Sequence, residues 1–291
     1  MHIGVVTINP ELATCQRILQ AGKDCGHEVS LYSLLHLSVG TGVNPILYHG
    51  EALKPVDAGI LRLGTQLPGL ALAVGRALEM QGIPLLDSAT ALELARDKFE
   101  TLMRLKSCGL PVPHTELVRD LDQLADAVDR VGGTPVVIKP LHGSQGQGAI
   151  LAESSAAAVS MMQSVLFQSR EFLLQEYIEC RGEDIRVIVV EGEVVTAMKR
   201  RAPAGDFRSN LARGGSASIV EVTEEMTRLA LNATAAVGLR CSGVDLLFGD
   251  QGPVIVEVNG SPGLGGIEKV SGVDVASHWI RALENQYQIE R

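Results

Sequence analysis

No apolar run in the 291 residues approaches the roughly 18 that a membrane span needs, so no membrane partner is expected. Positive charge is also short: the formal net charge is -9 and the pI is near 5.3, which leaves no global field to draw in nucleic acid or anionic lipid. Any anion bound here must be met by a local cluster. The five cysteines, Cys15, Cys25, Cys108, Cys180 and Cys241, are odd in number and include no CxxC pair, which argues against both a disulfide framework and a zinc knuckle. The opening Met-His-Ile-Gly-Val-Val-Thr-Ile has neither the charged n-region nor the long apolar h-region of a signal peptide, so a reducing cytoplasm is the expected location. Internal repeats and low-complexity tracts are missing, and the seven scattered histidines contain no HExxH, which points them to packing and surface roles. What is present is ordinary for a folded protein, with 46% hydrophobic and 20% charged residues. At about 150 residues per domain the length suits two or three domains.

The first third alternates short apolar runs with helical patterns. His2–Ile8, Val29–Ser33, Ala58–Leu63 and Ile83–Leu86 read as strands, with helices over Glu11–Cys25 and Leu70–Met80 between them. Strands alternating with helices predict an α/β domain on a parallel sheet. The turn after the first strand, Asn9-Pro10-Glu11-Leu12, lacks the glycines that let a pyrophosphate approach the backbone, so dinucleotide binding is not expected there. From Asp97 the texture changes. Asp97 suits the cap of a helix carrying Phe99, Leu102 and Met103, which Gly109, Pro111 and Pro113 end. Further on, Thr115–Val118, Val136–Ile138, Phe172–Ile178, Asp184–Val190, Val194–Arg201, Ser218–Val222, Val244–Phe248 and Val254–Asn259 read as strands, many of them in hairpins. Helices are predicted over Leu121–Val131, after Thr223 and from Asp274. Hairpins with helices collected at intervals predict an α+β body. The expected organisation is three lobes, residues 1–95, 96–180 and 181–291.

Three constellations carry chemistry. Gly143–Gly148 lies between two apolar segments and follows Lys139. It suits a hairpin turn or a cover over polyphosphate, with the lysine as point charge, and it is not a Walker loop, which needs Gly-Lys-Ser/Thr opening a helix. In the last hairpin, Asp245, Glu257 and Asn259 interrupt apolar strands. Glu257 and Asn259 share a face, and Asp245 stands opposite Glu257 if a glycine, Gly249 or Gly252, bulges at the turn. Either this is an ordinary exposed face, or it is a set of hard oxygen ligands for Mg2+ or Mn2+. Lys199, Arg200, Arg201, Arg208 and Arg213 form the dense basic cluster, partly in a long Gly/Ala/Ser-rich loop that is either solvated or a binding loop.

In this order the motifs resemble the ATP-grasp superfamily. They are Ala-Arg-Asp-Lys at 95–98, Gly-Ser-Gln-Gly-Gln-Gly at 143–148, Gln-Glu-Tyr-Ile at 175–178, Gly-Asp-Phe-Arg-Ser-Asn-Leu at 205–211, Arg-Gly-Gly at 213–215, and Glu-Val-Asn-Gly-Ser-Pro-Gly-Leu-Gly-Gly-Ile-Glu-Lys at 257–269. The resemblance covers essentially the whole chain and is close to the RimK-type branch, the ribosomal protein S6 glutamate ligases. It implies an ATP-dependent ligase with ATP held between the central and C-terminal lobes. By the same resemblance Lys98 and Lys139 contact the nucleotide, Gly143, Ser144, Gln145, Gly146 and Gly148 belong to the phosphate cover, and Glu176, Tyr177 and Ile178 form the adenine side. Asp184 then faces the ribose, Arg208, Ser209 and Asn210 lie against phosphate or substrate, and Asp245, Glu257 and Asn259 hold two divalent ions. Relatives often have Asn-Ala-Ser-Pro where this chain has Gly260, and an acidic residue where it has Gly265.

The implied chemistry is activation of a carboxylate by the γ-phosphoryl group, followed by attack of an amine on the acylphosphate. The expected partners are glutamate and a carboxyl-terminal acceptor such as ribosomal protein S6, with the chain a homo-oligomer and no direct contact to nucleic acid. Several carboxylates would then converge on a phosphate-rich centre. Arg186, Arg201 and Arg208 are the expected counter-charges, since the arginine fork suits a carboxylate. Competing readings are an ATP-grasp phosphotransferase, a ligase of a different small-molecule or peptide carboxylate, and a nucleotide-sensing module.

Overall fold

The computed structural model describes residues 1–43, 45–141, 148–166, 171–209 and 214–289. The N-terminal domain opens with β1 (His2–Thr7), α1 (Ala13–Asp24) and β2 (Glu28–Ser33), continues through the short β3 (Leu37–Val39), β4 (Ile46–Tyr48) and β5 (Glu51–Ala52), and closes with β6 (Ala58–Arg62) and α2 (Pro68–Met80). β2, β1 and β6 form a parallel sheet with β1 in the middle, and β3–β5 form a separate antiparallel meander. The central strand is apolar and buried from Ile3 to Val6 because both its faces are covered. The strand expected at Ile83–Leu86 is reduced to one bridge, Leu85 to Gly59.

Two helices, α3 (Ala89–Arg96) and α4 (Lys98–Ser107), lead out of this domain. The Asp97 carboxylate between them accepts a hydrogen bond from the Glu100 backbone N–H at 2.9 Å, which starts α4 as its sequence predicts. The central lobe then builds β7 (Thr115–Leu117), α5 (Leu124–Arg130), β8 (Val136–Pro140), β9 (Ile150–Ala152), α6 (Ser155–Leu166) and β10 (Phe172–Glu176). Its sheet is antiparallel in the order β7-β10-β8-β9.

The C-terminal lobe holds β11 (Glu183–Val190), β12 (Glu193–Arg201), β13 (Ser216–Ile219), α7 (Glu224–Val237), β14 (Cys241–Gly249), β15 (Gly252–Asn259), α8 (Gly265–Ser271) and α9 (Val275–Ile289). The sheet order is β13-β12-β11-β14-β15. One face, with Val187, Val189, Val244, Leu246 and Ile255, packs on Leu229, Ala230 and Ala233 of α7. The other face carries the charged residues described below and continues as Ile188, Val190 and Cys241 beneath α9.

Buried side chains fall into separate clusters. One, with Leu124, Val128, Val136, Ile138, Met162 and Leu174, is wholly internal to the central lobe. The other two cross between the N-terminal domain and the C-terminal lobe: Ile3, Ile18 and Ile60 meet Trp279, Ile280 and Leu283 in one, and Leu72 and Leu92 meet Leu229 and Val258 in the other. The first and last lobes therefore make one body, with the central lobe attached to it. Among the described residues no helix is long and apolar enough to cross a membrane.

Candidate active site

The charged face of the C-terminal sheet follows from register. β11 places Arg186 opposite Asp245 of β14 and Asp184 opposite Arg200 of β12, while β14 places Asp245 opposite Glu257 of β15 and Gly243 opposite Asn259. Residues two apart share a face, so Asp184, Arg186, Arg200, Asp245, Glu257 and Asn259 lie together. Asp245 does stand opposite Glu257, but by a different device from the one expected. The turn Gly249–Gly252 is regular, and the register shift falls between Asp245 and Leu246, where Val256 is the extra residue.

The buried centre of this face is an ion network. Arg186 donates Nε and Nη2 to the two Asp245 oxygens at 2.7 and 2.6 Å, and Arg200 does the same for Asp184 at 2.6 Å each. Arg200 also reaches Asp245 Oδ2 at 2.8 Å, and the Ser209 hydroxyl donates to Asp184. Two carboxylates and two guanidiniums cancel in formal charge. Burial pushes the Asp245 carboxyl up, yet Arg186 and Arg200 together hold it below its ordinary value. Asp184 moves the other way, raised by burial and by the neighbouring Asp245 charge.

Facing this sheet across a cleft are β8 and β10 of the central lobe. Lys139 donates to Gln175 Oε1 at 2.8 Å, and Gln175 donates in turn to Thr115 Oγ1 at 2.8 Å, so the ammonium is held from behind by an amide rather than by an acid. Lys98, the first residue of α4, donates to the Leu141 carbonyl at 3.4 Å. Burial lowers both amines, and Lys139 falls to about 8 although the Glu257 charge opposes the drop. Val137, Tyr177, Ile178, Leu247 and Val256 give the same cleft an apolar end, suited to an aromatic base. The Glu176 backbone is tied to His114 by an N–H donated to the His114 carbonyl at 2.8 Å, and its carboxylate accepts the His114 N–H at 3.0 Å.

A pH dependence follows. A polyphosphate is attracted only by the protonated Lys139, so ATP is expected to bind more weakly as pH rises through about 8, with proton uptake on binding above that value. Lys139→Met should bind ATP poorly throughout and flatten this profile. Titration calorimetry in two buffers of different ionisation enthalpy reads both the affinity and the proton count.

For a divalent ion the donor set is hard oxygen. Among the described residues the Glu257 carboxylate has no hydrogen-bond or ion-pair partner, and Asn259 Oδ1, which accepts the Ser261 N–H at 3.0 Å, keeps a lone pair. Asp245 is more committed, because both of its oxygens accept from arginine. Among the described residues no group of three or more His, Cys, Asp or Glu forms a metal cage. The residues fit a cation that takes much of its shell from phosphate oxygens and water, the habit of Mg2+.

The family model described as a RimK-like ATP-grasp domain matches residues 95–283, and one described as a RimK PreATP-grasp domain matches residues 1–92. The chain belongs to the RimK-like ATP-grasp family. It is accordingly an ATP-dependent ligase. A "probable alpha-L-glutamate ligase" of Marinomonas sp. is 42% identical over 287 residues, covering 98% of this chain and 95% of the relative, and one of Ectopseudomonas mendocina is 41% identical with the same coverage. Among solved structures, the ATP-grasp ligase PsnB complexed with a phosphomimetic precursor variant, Mg and ADP superposes with a TM-score of 0.77 at 22% identity, covering 98% of both chains. That likeness speaks for the fold.

Within this RimK-like fold the expected site residues are not all gathered. Lys98, Lys139, Glu176, Tyr177, Ile178, Asp184, Arg208, Ser209, Asp245 and Glu257 line one cleft, and Arg186 and Asn259 line the hollow beside it. Gly143, Ser144, Gln145, Gly146 and Asn210 lie outside the described residues, as does Arg213; Gly148 is described and takes φ 79°. Arg208 chelates Asp206 through Nε and Nη2 at 2.8 and 3.0 Å, and donates Nη1 to the Ala149 carbonyl at 3.0 Å, which links the C-terminal lobe to the central one.

Arg201 requires a correction. Strand alternation turns Arg200 into the cleft and Arg201 out to the surface, where it is 65% exposed, pairs with Glu183 and borders a separate shallow hollow. Its expected role at a substrate carboxylate does not survive this geometry, and Arg200 is the residue that the basic cluster brings to the centre. Gln175 and Arg96 stand in the motifs at 175–178 and 95–98 but have no role assigned from sequence, and Arg62 lies in no motif. Gly260 has a local explanation: a Cβ there would meet Leu92 Cδ2 at 2.8 Å and Leu239 Cδ2 at 3.1 Å, so those leucines occupy the space of a methyl group.

Proposed function

We propose that this chain adds L-glutamate to the carboxyl terminus of an acceptor through an acylphosphate. The observation that carries the reading is the continuity of two differently built spaces: the Lys98–Lys139 cleft, apolar at one end, opens past Glu257 into a cationic hollow under the N-terminal domain, which Arg62, Arg96, Arg186 and Arg200 line. A nucleotide suits the first and carboxylate substrates the second. The nearby relatives named as probable glutamate ligases support the amino acid.

In the proposed reaction ATP lies with its base against Tyr177 and Ile178 and its phosphates toward Lys139 and Lys98, while Asp184 and Ser209 border the ribose. Asp245, Glu257 and Asn259 would hold two divalent ions, Mg2+ or Mn2+, whose chemistry is to neutralise the transferring phosphoryl group. The acceptor carboxylate oxygen attacks the γ-phosphorus as the bond to ADP breaks. Lys98 and Arg200, at the junction of the two spaces, offset the charge gathering there. The glutamate amine, having shed a proton, then attacks the acyl carbon, and the carbon–oxygen bond to phosphate breaks to leave an amide. We assign the lobes as residues 1–95, 96–180 and 181–291, with a carboxyl-terminal peptide of ribosomal protein S6 as the acceptor and the cytoplasm as the compartment.

The test is an intact-mass measurement of S6 incubated with this protein, ATP, magnesium and glutamate. The expected product is S6 heavier by one or more glutamyl residues, with phosphate release that depends on glutamate. ATP consumption with unmodified S6, when another carboxylate is modified instead, would replace the acceptor. Phosphate transfer without any amide would replace the reaction.

A further inference from the structure

The cations of the hollow under the N-terminal domain are not equivalent. Arg186 and Arg200 are engaged by Asp245 and Asp184, and Arg96 donates Nη1 to the Gly64 carbonyl at 2.5 Å. Arg62, the last residue of β6, differs from all of these. Its Nε and Nη1 are shut off from solvent and have no hydrogen-bond partner among the described residues. The guanidinium carbon lies 5.3 Å from the ring centroid of Trp279, a contact that steadies the plane of the fork but accepts none of its in-plane hydrogens. Cys15 and Asp87 act on it only through their charge, with no hydrogen bond to it, and one oxygen of the Asp87 carboxylate accepts from the Arg240 and Cys241 backbone N–H groups. Burial lowers Arg62 only to about 10, so it remains a cation at neutral pH. A guanidinium with two nitrogens withheld from water and no hydrogen-bonded acid among the described residues is costly; Nη2 is not among the shut-off atoms, and a guanidinium suits a carboxylate.

Its backbone neighbours connect it to the reacting end of the site. Leu63 donates its N–H to Ser261 Oγ at 3.1 Å, the same hydroxyl reaches the Leu61 carbonyl at 3.5 Å, and Ser261 donates its own N–H to Asn259 Oδ1 at 3.0 Å. Arg62 lines the hollow and not the nucleotide cleft. The carboxylate that becomes the acylphosphate must reach the γ-phosphoryl group, whereas the incoming amino acid keeps its carboxylates throughout and needs a cation away from that group. We infer that Arg62 binds a carboxylate of the amine-donating amino acid, placing the amine beside the Asn259–Ser261 turn. The inference rests on the ligase reading above and gives that reading its amino-acid subsite.

The experiment compares wild type, Arg62→Lys and Arg62→Met in ligation rate against glutamate concentration, with ATP dependence and thermal midpoint measured alongside. Arg62→Met is expected to raise the glutamate KM roughly 100-fold, and Arg62→Lys roughly 10-fold, with the ATP KM within about twofold of wild type. Without substrates Arg62→Met should melt at or above wild type, because it removes a largely buried charge that no acid hydrogen-bonds among the described residues, and a purely structural arginine would give the opposite. Glutamine as alternative donor identifies the carboxylate. If glutamate's preference over glutamine collapses in Arg62→Met, the side-chain carboxylate is held; if both amino acids lose equally, the α-carboxylate is. An unchanged glutamate KM in Arg62→Met overturns the inference, as does a lower midpoint with both KM values rising together. Wild type that ligates no glutamate removes the ligase reading itself, whereas wild type that uses glutamate with an unaffected variant removes Arg62 alone.

Discussion

Glu257→Gln is expected to lower turnover by roughly two to three orders of magnitude at saturating ATP and magnesium, with a much smaller fall in nucleotide affinity. The amide keeps the shape of the side chain while removing an anionic ligand that has no ion-pair partner among the described residues. The base of the nucleotide is assigned to the apolar end of the cleft, away from this position, so adenine binding should survive. A second consequence is electrostatic. The Glu257 charge supports the protonated forms of Lys98 and Lys139 against burial, so its loss should move the alkaline fall in ATP affinity to lower pH. Single-turnover rates against magnesium concentration, set beside ATP affinity at several pH values, check both claims. Turnover equal to wild type would remove Glu257 from the metal assignment.

Arg200→Ala should be costly to the fold itself. Among the described residues Arg200 alone touches both buried carboxylates, Asp184 at 2.6 Å and Asp245 at 2.8 Å. Of the described partners, its removal leaves Asp184 the Ser209 hydroxyl and Asp245 the Arg186 guanidinium. Breaking a buried pair in this way costs about 3–5 kcal/mol, far more than loss of an exposed pair such as Arg201 with Glu183, at about 0–1 kcal/mol. The sign of the pH effect is fixed as well. An orphaned carboxylate has its folded pKa raised above the unfolded one, so the variant should regain stability as pH falls and lose it as pH rises. Adding Asp184→Asn to Arg200→Met should recover part of the loss by removing one orphaned charge. Urea unfolding of the single and double variants at two pH values is the measurement, and an Arg200→Ala deficit below about 1 kcal/mol would contradict the network.

Much of this architecture was legible because strong local signals agreed with the tertiary result. Apolar runs marked β1, β8 and β11, Asp97 marked the start of α4, and Thr223 marked the start of α7, where its hydroxyl accepts the Met226 N–H at 3.2 Å. α6 was missed because Ser-Ala-Ala-Ala-Val-Ser-Met-Met has no clear apolar period, and it is a helix that packs Ala158 and Met162 into the central core. The β3–β5 meander is too short to show alternation. At the site, the pairing of Asp245 with Glu257 could be read, but the position of its register shift could not, since Val256 looks like any other apolar strand residue. Composition shows a basic cluster at 199–201 without distinguishing Arg201 from Arg200, and only strand pairing with Asp184 shows which member faces inward. Arg62 had no signal at all. Its significance depends on Trp279, which sequence separation hides.

The division of the cores sets an order of events during synthesis. Chains emerge from the ribosome N-terminus first, and domains usually fold in that order. Here the first domain to emerge is not the first that can finish. Ile3, Ile18 and Ile60 find their full apolar surroundings only when Trp279, Ile280 and Leu283 arrive near the end of translation, whereas Leu124, Val136, Met162 and Leu174 need nothing outside their own lobe. The nascent chain thus carries a completed middle lobe flanked by an N-terminal sheet with one side still wet. A ribosome stalled before α9 would hold a sticky intermediate of the kind chaperones bind, even though the residues exposed were translated first.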